Sequence, residues 1–230
     1  MDFGRLSEDF VISSWQNAFI FDLDGVVVDS MPLHAEAWRV YLERLGIVIQ
    51  DLDDRMHGGR NDELVRAFIA ADLPPQAVFE HGAAKERLWR EMMLPRLEEH
   101  IVPGVRAFLG RLAGAPCAVA SNAEPANIEF VLEGADLRRH FQVVVDGHQV
   151  SRPKPWPDMY LRAAELLGTT PRNCVIFEDS ATGIAAARAA GARVAGIGTH
   201  TMDLADVDLL VRDFRDPGLS QWLEQQQPRQ

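Results

Sequence analysis

Cysteine is scarce in this 230-residue chain. Cys117 and Cys174 each sit inside an apolar run, which excludes a disulfide framework and reads as two small buried hydrophobes. No apolar stretch approaches the ~18 residues of a membrane span. Positive charge is also in deficit, with 23 Lys and Arg against 34 Asp and Glu and a formal charge of −11. That balance disfavours attraction to nucleic-acid phosphates and anionic lipid, so neither a nucleic-acid nor a membrane partner is expected. The first 14 residues carry Asp2, Glu8 and Asp9 and lack a basic segment followed by an apolar one. No signal peptide is therefore expected, and the expected location is cytoplasmic. His57, His81, His100, His140, His148 and His200 show no metal-ligand spacing and read as structural or surface residues.

What is present is a composition of 47% apolar and 25% charged residues, which suits a packed core and excludes wholesale disorder. Dividing the length by roughly 150 residues per domain predicts one domain with a sizeable insertion, or two small ones. The chain is expected to fold alone, as a monomer. Net charge does not exclude a small anionic ligand, because a cation, a lysine and backbone N–H groups can override it locally.

Ala18-Phe19-Ile20-Phe21-Asp22-Leu23-Asp24-Gly25 is a short apolar run that stops at acids and a glycine, as a buried strand entering a loop does. Residues 32–100 change texture: helical periodicity covers 35–45, 62–71 and 77–93, and no strand interrupts it. Trp89, Met92 and Met93 form an apolar stripe suited to core or interface packing. From Val102-Pro103-Gly104 onward strands and helices alternate. Strands are expected at 117–120, 143–145, 174–177, 194–197 and 209–211, with helices at 105–113, 125–133, 157–167 and 181–190. The pattern predicts an α/β protein with a doubly wound parallel sheet, built from 1–31 and 101–230 and interrupted by an all-helical block. The tail from Gln221, with its run of glutamines, is expected to fray.

In open parallel sheets ligands bind beyond the carboxyl ends of the strands. Asp22 and Asp24 follow the first strand here, Ser121-Asn122 the second and Glu178-Asp179-Ser180 the fourth, while Lys154 stands in the loop Arg-Pro-Lys-Pro-Trp-Pro. Carboxylates converging at one sheet edge repel each other, so the cluster implies a bound cation, and all-oxygen ligation suits Mg²⁺ beside a phosphate group. Cation, lysine, hydroxyl and a carboxylate nucleophile together make a set for phosphoryl transfer.

At this point the chain resembles a known family. Phe21-Asp22-Leu23-Asp24-Gly25-Val26-Val27-Val28-Asp29-Ser30 is similar to the first motif of the haloacid dehalogenase superfamily, and Ser121, Lys154 and Glu178-Asp179 follow in the order of its later motifs. The resemblance runs from about residue 18 to 214 and implies a Rossmann-like core with a helical cap at 32–100. It implies Asp22 as the nucleophile that forms an aspartyl phosphate and Asp24 as the acid/base for the leaving oxygen and the water. It further implies a Mg²⁺ shell of Asp22, the Asp24 carbonyl and Asp179, with Glu178 adjacent. Ser121 resembles the hydroxyl that holds a phosphoryl oxygen, and Lys154 the cation that offsets phosphate charge. Ser30, His34, Arg60 and Lys85 match substrate-side positions of the beta-phosphoglucomutase-like branch, and Asn122 stands beside Ser121.

These expectations favour a Mg²⁺-dependent phosphatase acting on a small phosphorylated metabolite, a sugar phosphate above all. A mutase of the beta-phosphoglucomutase type is the alternative. It is weakened by Ala123-Glu124-Pro125, since a glutamate there repels the second phosphate such a reaction must hold. A non-catalytic ligand-binding member is a third reading, but the nucleophile, acid and lysine are all retained. Dehalogenation is disfavoured because the resembled dehalogenases lack the second aspartate.

Overall fold

The computed structural model describes residues 17–52, 55 and 61–226. Six strands form one parallel sheet: β1 (Ala18–Phe21), β2 (Cys117–Ser121), β3 (Val143–Asp146), β4 (Cys174–Glu178), β5 (Arg193–Ile197) and β6 (Leu209–Val211), in the order β3-β2-β1-β4-β5-β6. The order reverses direction beside β1, so the ends of β1, β2 and β4 open onto one crevice. The doubly wound α/β class expected from the alternation is what the chain adopts.

Side chains of a strand alternate between faces, and β1 divides accordingly. Phe19 and Phe21 join a cluster with Phe108, Phe177 and Phe214 on one face, while Ala18 and Ile20 pack with Tyr160, Ile184 and Val194 on the other. Both faces are covered by helices, which is why the strands read as unbroken apolar runs. Those helices are α5 (Val105–Arg111), α6 (Pro125–Gly134), α7 (Asp158–Leu166), α8 (Ala181–Ala190) and α9 (Pro217–Gln225).

Between β1 and β2 the described residues form no strand. Ahead of α5 they form α1 (Met31–Arg44), α2 (Asn61–Phe68) and α3 (Pro75–Met93), where the periodicity predicted helices, and the short α4 (Leu97–His100), which it did not. Trp38, Leu42, Val65, Phe68 and Val78 make a separate small core for this block. The long helix α3 spans both cores: Val78 lies in the small one, whereas Leu88, Trp89 and Met93 pack into the core of the sheet. The chain leaves and re-enters the sheet side by side. Asp29 N donates to His100 O at 2.7 Å and Val102 N to Val27 O at 3.1 Å, around an antiparallel bridge between Val28 and Ile101.

One expectation fails at the C-terminal side. Residues from Gln221 were expected to fray, yet 217–225 form α9. Asp216 caps it by accepting from Gly218 N at 2.8 Å, and Leu219 and Leu223, four residues apart on one face, are buried in the main core. Two anchored leucines outweigh a polar composition. Cys117 and Cys174 are free and buried, as expected.

Candidate active site

Asp22 is the first residue past β1 and is fixed by its own backbone, with Asp22 N donating to Phe177 O at 3.0 Å. The chain then turns sharply at Gly25, whose φ of 75° is the left-handed region. A Cβ at Gly25 would overlap the Asp179 carboxylate, so the missing side chain is what lets Asp179 approach the turn. Gly183 does the same for Glu178 from the start of α8. Thr199 Oγ1 donates to Gly25 O at 2.6 Å and holds the turn against the loop after β5.

Lys154 reaches this sheet edge from its loop and donates to Asp22 Oδ1 and to Glu178 Oε1, each at 2.7 Å. Glu178 is fully buried and fully engaged. Its Oε1 also accepts from Tyr160 OH at 2.5 Å, and its Oε2 accepts from Asp179 N at 3.0 Å, Ser180 N at 3.2 Å and Ser180 Oγ at 3.1 Å. Asp22, Glu178 and Asp179 offer carboxylate oxygens within 4.8 Å of one another. Burial, outweighing Lys154, pushes the Asp22 carboxyl up to about 7. Burial together with Glu178 and Asp22 drives Asp179 well above the usual carboxylate range. Ionised carboxylates this close and this buried call for a cation, and an all-oxygen donor set fits a hard divalent ion such as Mg²⁺.

The Asp24 side chain has a partner outside that trio. It accepts from Ser30 Oγ at 2.5 Å. Ser30 stands at the N-cap of α1 yet makes no side-chain cap bond, because its hydroxyl serves Asp24 instead. Burial raises the Asp24 carboxyl above its ordinary range, with the Ser30 hydrogen bond acting the other way. Ser121, at the end of β2, is buried, and its Oγ accepts from Ala123 N at 3.1 Å, so its proton remains to be donated. It is not the cap of α6, a position Glu124 occupies. Asn122 is exposed at the mouth.

From the helical block, His34 on α1 and Lys85 on α3 meet, with Lys85 Nζ 2.9 Å from His34 Nδ1. The His34 ring stacks on Trp89 at 4.5 Å between centroids. Burial and the Lys85 charge lower the His34 pKa to about 3, so this imidazole is neutral. Arg60 lies outside the described residues. Sequence reasoning missed Tyr160, Glu86, Asn127 and His200. Glu86 Oε1 accepts from Lys85 at 2.7 Å, and its Oε2 accepts from Asn127 Nδ2 at 2.7 Å. His200, read as structural or surface, lies with Nε2 3.4 Å from Asp29 Oδ1 and 4.0 Å from Asp179 Oδ2. No local motif signals these four; they are brought in by packing between elements distant in sequence.

A crevice at the strand ends of a doubly wound sheet, lined by paired carboxylates and a buried lysine, defines a class of phosphoryl-transfer hydrolases. A family model for haloacid dehalogenase-like hydrolases matches residues 16–191, and the chain belongs to that family. It is 36% identical over 197 residues, 83% of this chain and 96% of the relative, to the fructose-1-phosphate phosphatase YqaB of Escherichia coli. It is 27% identical over 206 residues, 86% of this chain and 90% of the relative, to the beta-phosphoglucomutase of Bacillus subtilis. Among solved structures, a HAD hydrolase of family IA from Entamoeba histolytica matches with a TM-score of 0.81 at 23% identity, covering 90% of this chain and 98% of the other. The chain is thus an enzyme of the hydrolase and phosphotransferase class. No described helix is long and apolar enough to cross a membrane.

Proposed function

We propose that this enzyme is a Mg²⁺-dependent phosphatase of small phosphorylated metabolites, sugar phosphates above all, working through an aspartyl phosphate on Asp22. The observation that carries the reading is the Asp22 carboxylate held at 2.7 Å by a buried lysine, within a trio of carboxylates at the sheet's ligand-binding edge. Similarity to a fructose-1-phosphate phosphatase over most of both chains supports the substrate class.

In the proposed reaction Asp22 attacks phosphorus and the bond to the leaving oxygen breaks, while Asp24 gives that oxygen its proton. Asp24 then takes a proton from the water that attacks the phosphorus of the aspartyl phosphate, releasing phosphate and restoring Asp22. Burial suits Asp24 to this work by keeping its carboxyl protonated at higher pH than a free one. Lys154 orients Asp22 and balances the charge of the transferred group, and the Ser121 hydroxyl donates to one of its oxygens. Asp22 and Asp179, with the Asp24 carbonyl, would hold the cation, and Glu178, both of whose oxygens are occupied, would act behind them on Lys154. When bound, the cation shields the anionic phosphoryl group from the carboxylate that attacks it. Residues 32–100 would serve as a cap over the crevice, with Asn122 and the hinge residues Ser30 and His34 beside the substrate and Arg60 gripping it from the cap.

A mutase is the second reading, favoured by the contact between His34 and Lys85 beside Asp24. ³¹P NMR with Mg²⁺ and a panel of sugar phosphates separates the two, with Asp22→Asn as the blank. Free phosphate formed only by the unaltered enzyme is the expected result. A signal that moves between sugar positions without free phosphate makes the enzyme a mutase, and no change with any substrate overturns both.

A further inference from the structure

Lys85 and Glu86 are neighbours in sequence and both buried, 2% and 6% exposed, inside a helix that otherwise keeps its charges in solvent or at its edges. Successive helical side chains diverge by about 100°, so their contact at 2.7 Å requires both long chains to bend to one point. That point lies between the two parts of the molecule. Lys85 meets His34 of α1, while the second Glu86 oxygen takes a hydrogen bond from Asn127 of α6, which belongs to the sheet. The Asn127 amide is itself fixed, because its Oδ1 accepts from Arg90 at 2.6 Å. Trp89 against Phe130, with centroids 5.8 Å apart, packs the same two helices together.

We propose that Glu86 is a specificity-determining residue: by holding Lys85 it makes this wall of the site neutral, and so selects a phosphomonoester with an uncharged, hydroxyl-bearing body over one carrying a second phosphate. The inference rests on the phosphatase reading and deepens it. Lys85 has three donors, and Glu86 and His34 engage two of them. The ammonium also lies over the Trp38 ring, 5.2 Å from its centroid, a contact that uses no hydrogen-bond acceptor, so a substrate hydroxyl can take the third donor without disturbing the pair. A phosphate dianion must instead draw Lys85 from Glu86 and leave a buried carboxylate unpaired, a large penalty. Asp24 and Glu124 also act on Lys85 with negative charge, which further opposes a second anion.

The test uses the folded, full-length Asp22→Asn protein with Mg²⁺, which binds without turnover, and calorimetric titration with fructose 1-phosphate and fructose 1,6-bisphosphate as probes. The parent is expected to prefer the monophosphate by about tenfold or more. Adding Glu86→Gln, which keeps shape and removes charge, shifts that ratio at least tenfold towards the bisphosphate. The pair Lys85→Gln with Glu86→Gln keeps the parent ratio, because the wall stays neutral, and stands in if the single variant does not fold. A parent that prefers the bisphosphate, an unchanged ratio in a folded Glu86→Gln protein, or a ratio lost in the double variant overturns the inference alone. Failure of the parent to bind these two probes or any other member of the sugar-phosphate panel overturns the phosphatase reading with it.

Discussion

Two buried lysines stand at the two sides of the crevice, and their pKa values move in opposite directions. Lys154, on the sheet side, has carboxylates of Asp22 and Glu178 both at 2.7 Å; Lys85, on the helical side, has one, Glu86, at the same distance, and a neutral imidazole. Burial favours the neutral amine in both. At Lys154 the two carboxylates outweigh burial and raise the pKa, whereas at Lys85 burial outweighs Glu86 and lowers it. Direct contact separates the two: two carboxylates touch Lys154, whereas one touches Lys85 and Asp24 and Glu124 act on it from farther away. A lysine with two is a permanent cation suited to a reaction that gathers negative charge; a lysine with one is a neutralised structural pair that presents hydrogen bonds.

The comparison predicts different failures when each lysine is removed. Lys154→Met should lower kcat by about 10²–10³-fold, the typical cost of losing one donor to a transition-state charge, with a smaller effect on KM. Lys85→Met should act mainly on stability, costing about 3 kcal/mol because Glu86 is left buried without a counter-charge. Replacing Glu86 by Leu in the same chain should then restore most of the loss, since an apolar pair replaces a buried ion pair at little cost. Steady-state kinetics beside thermal melts check both. A Lys85→Met protein that melts normally but loses kcat as Lys154→Met does would erase the distinction.

The sheet side was far more legible in the sequence than the helical side, and the reason is local. Asp22, Ser121 and Glu178 each follow directly upon an apolar strand run, so strand ends and chemistry could be read from the same few residues. All six strands and most helices fell within a few residues of where the pattern put them. Lys85 could be named as a cap residue, but its engagement by Glu86 could not, because it depends on α3 meeting α1 and α6 across 51 and 41 residues of chain. Tyr160 was hidden for the same reason: in sequence it is one helical apolar residue, and only packing of α7 under the sheet brings its hydroxyl to Glu178. α9 was missed because a glutamine-rich composition concealed two buried leucines.

A weaker but separable effect follows from the crowding of acids around Lys154. Asp22 is pushed from its ordinary 3.8 up to about 7, and Asp179 is raised as well, so the metal-free folded protein keeps protons that the unfolded chain has already released. Stability of the metal-free protein should therefore fall as pH rises from about 4 through about 7, where Asp22 gives up its proton, and Asp179 adds to the fall for as long as it stays protonated. Added Mg²⁺ should raise the melting temperature more at pH 8 than at pH 5, because only ionised carboxylates bind it. Asp22→Asn should flatten the metal-free profile. Melting curves with EDTA or Mg²⁺ across this range decide the matter, and an equal Mg²⁺ shift at both pH values would show that the sheet-edge acids are already ionised when empty.

The smallest effect distinguishes charge from mechanical linkage on the helical side. Arg90 touches Asn127 but not Glu86, so Arg90→Ala frees the amide that joins the two parts while leaving the ion pair intact. One partly buried hydrogen bond is worth about 1 kcal/mol, which for a chain of this size corresponds to roughly 2–4 °C in Tm. If neutrality of the wall governs selection, the ratio of mono- to bisphosphate affinity stays at the parent value despite that loss. A ratio that shifts with Arg90→Ala as far as with Glu86→Gln would mean that the tie between α3 and α6, rather than the charge on Glu86, shapes this side of the crevice.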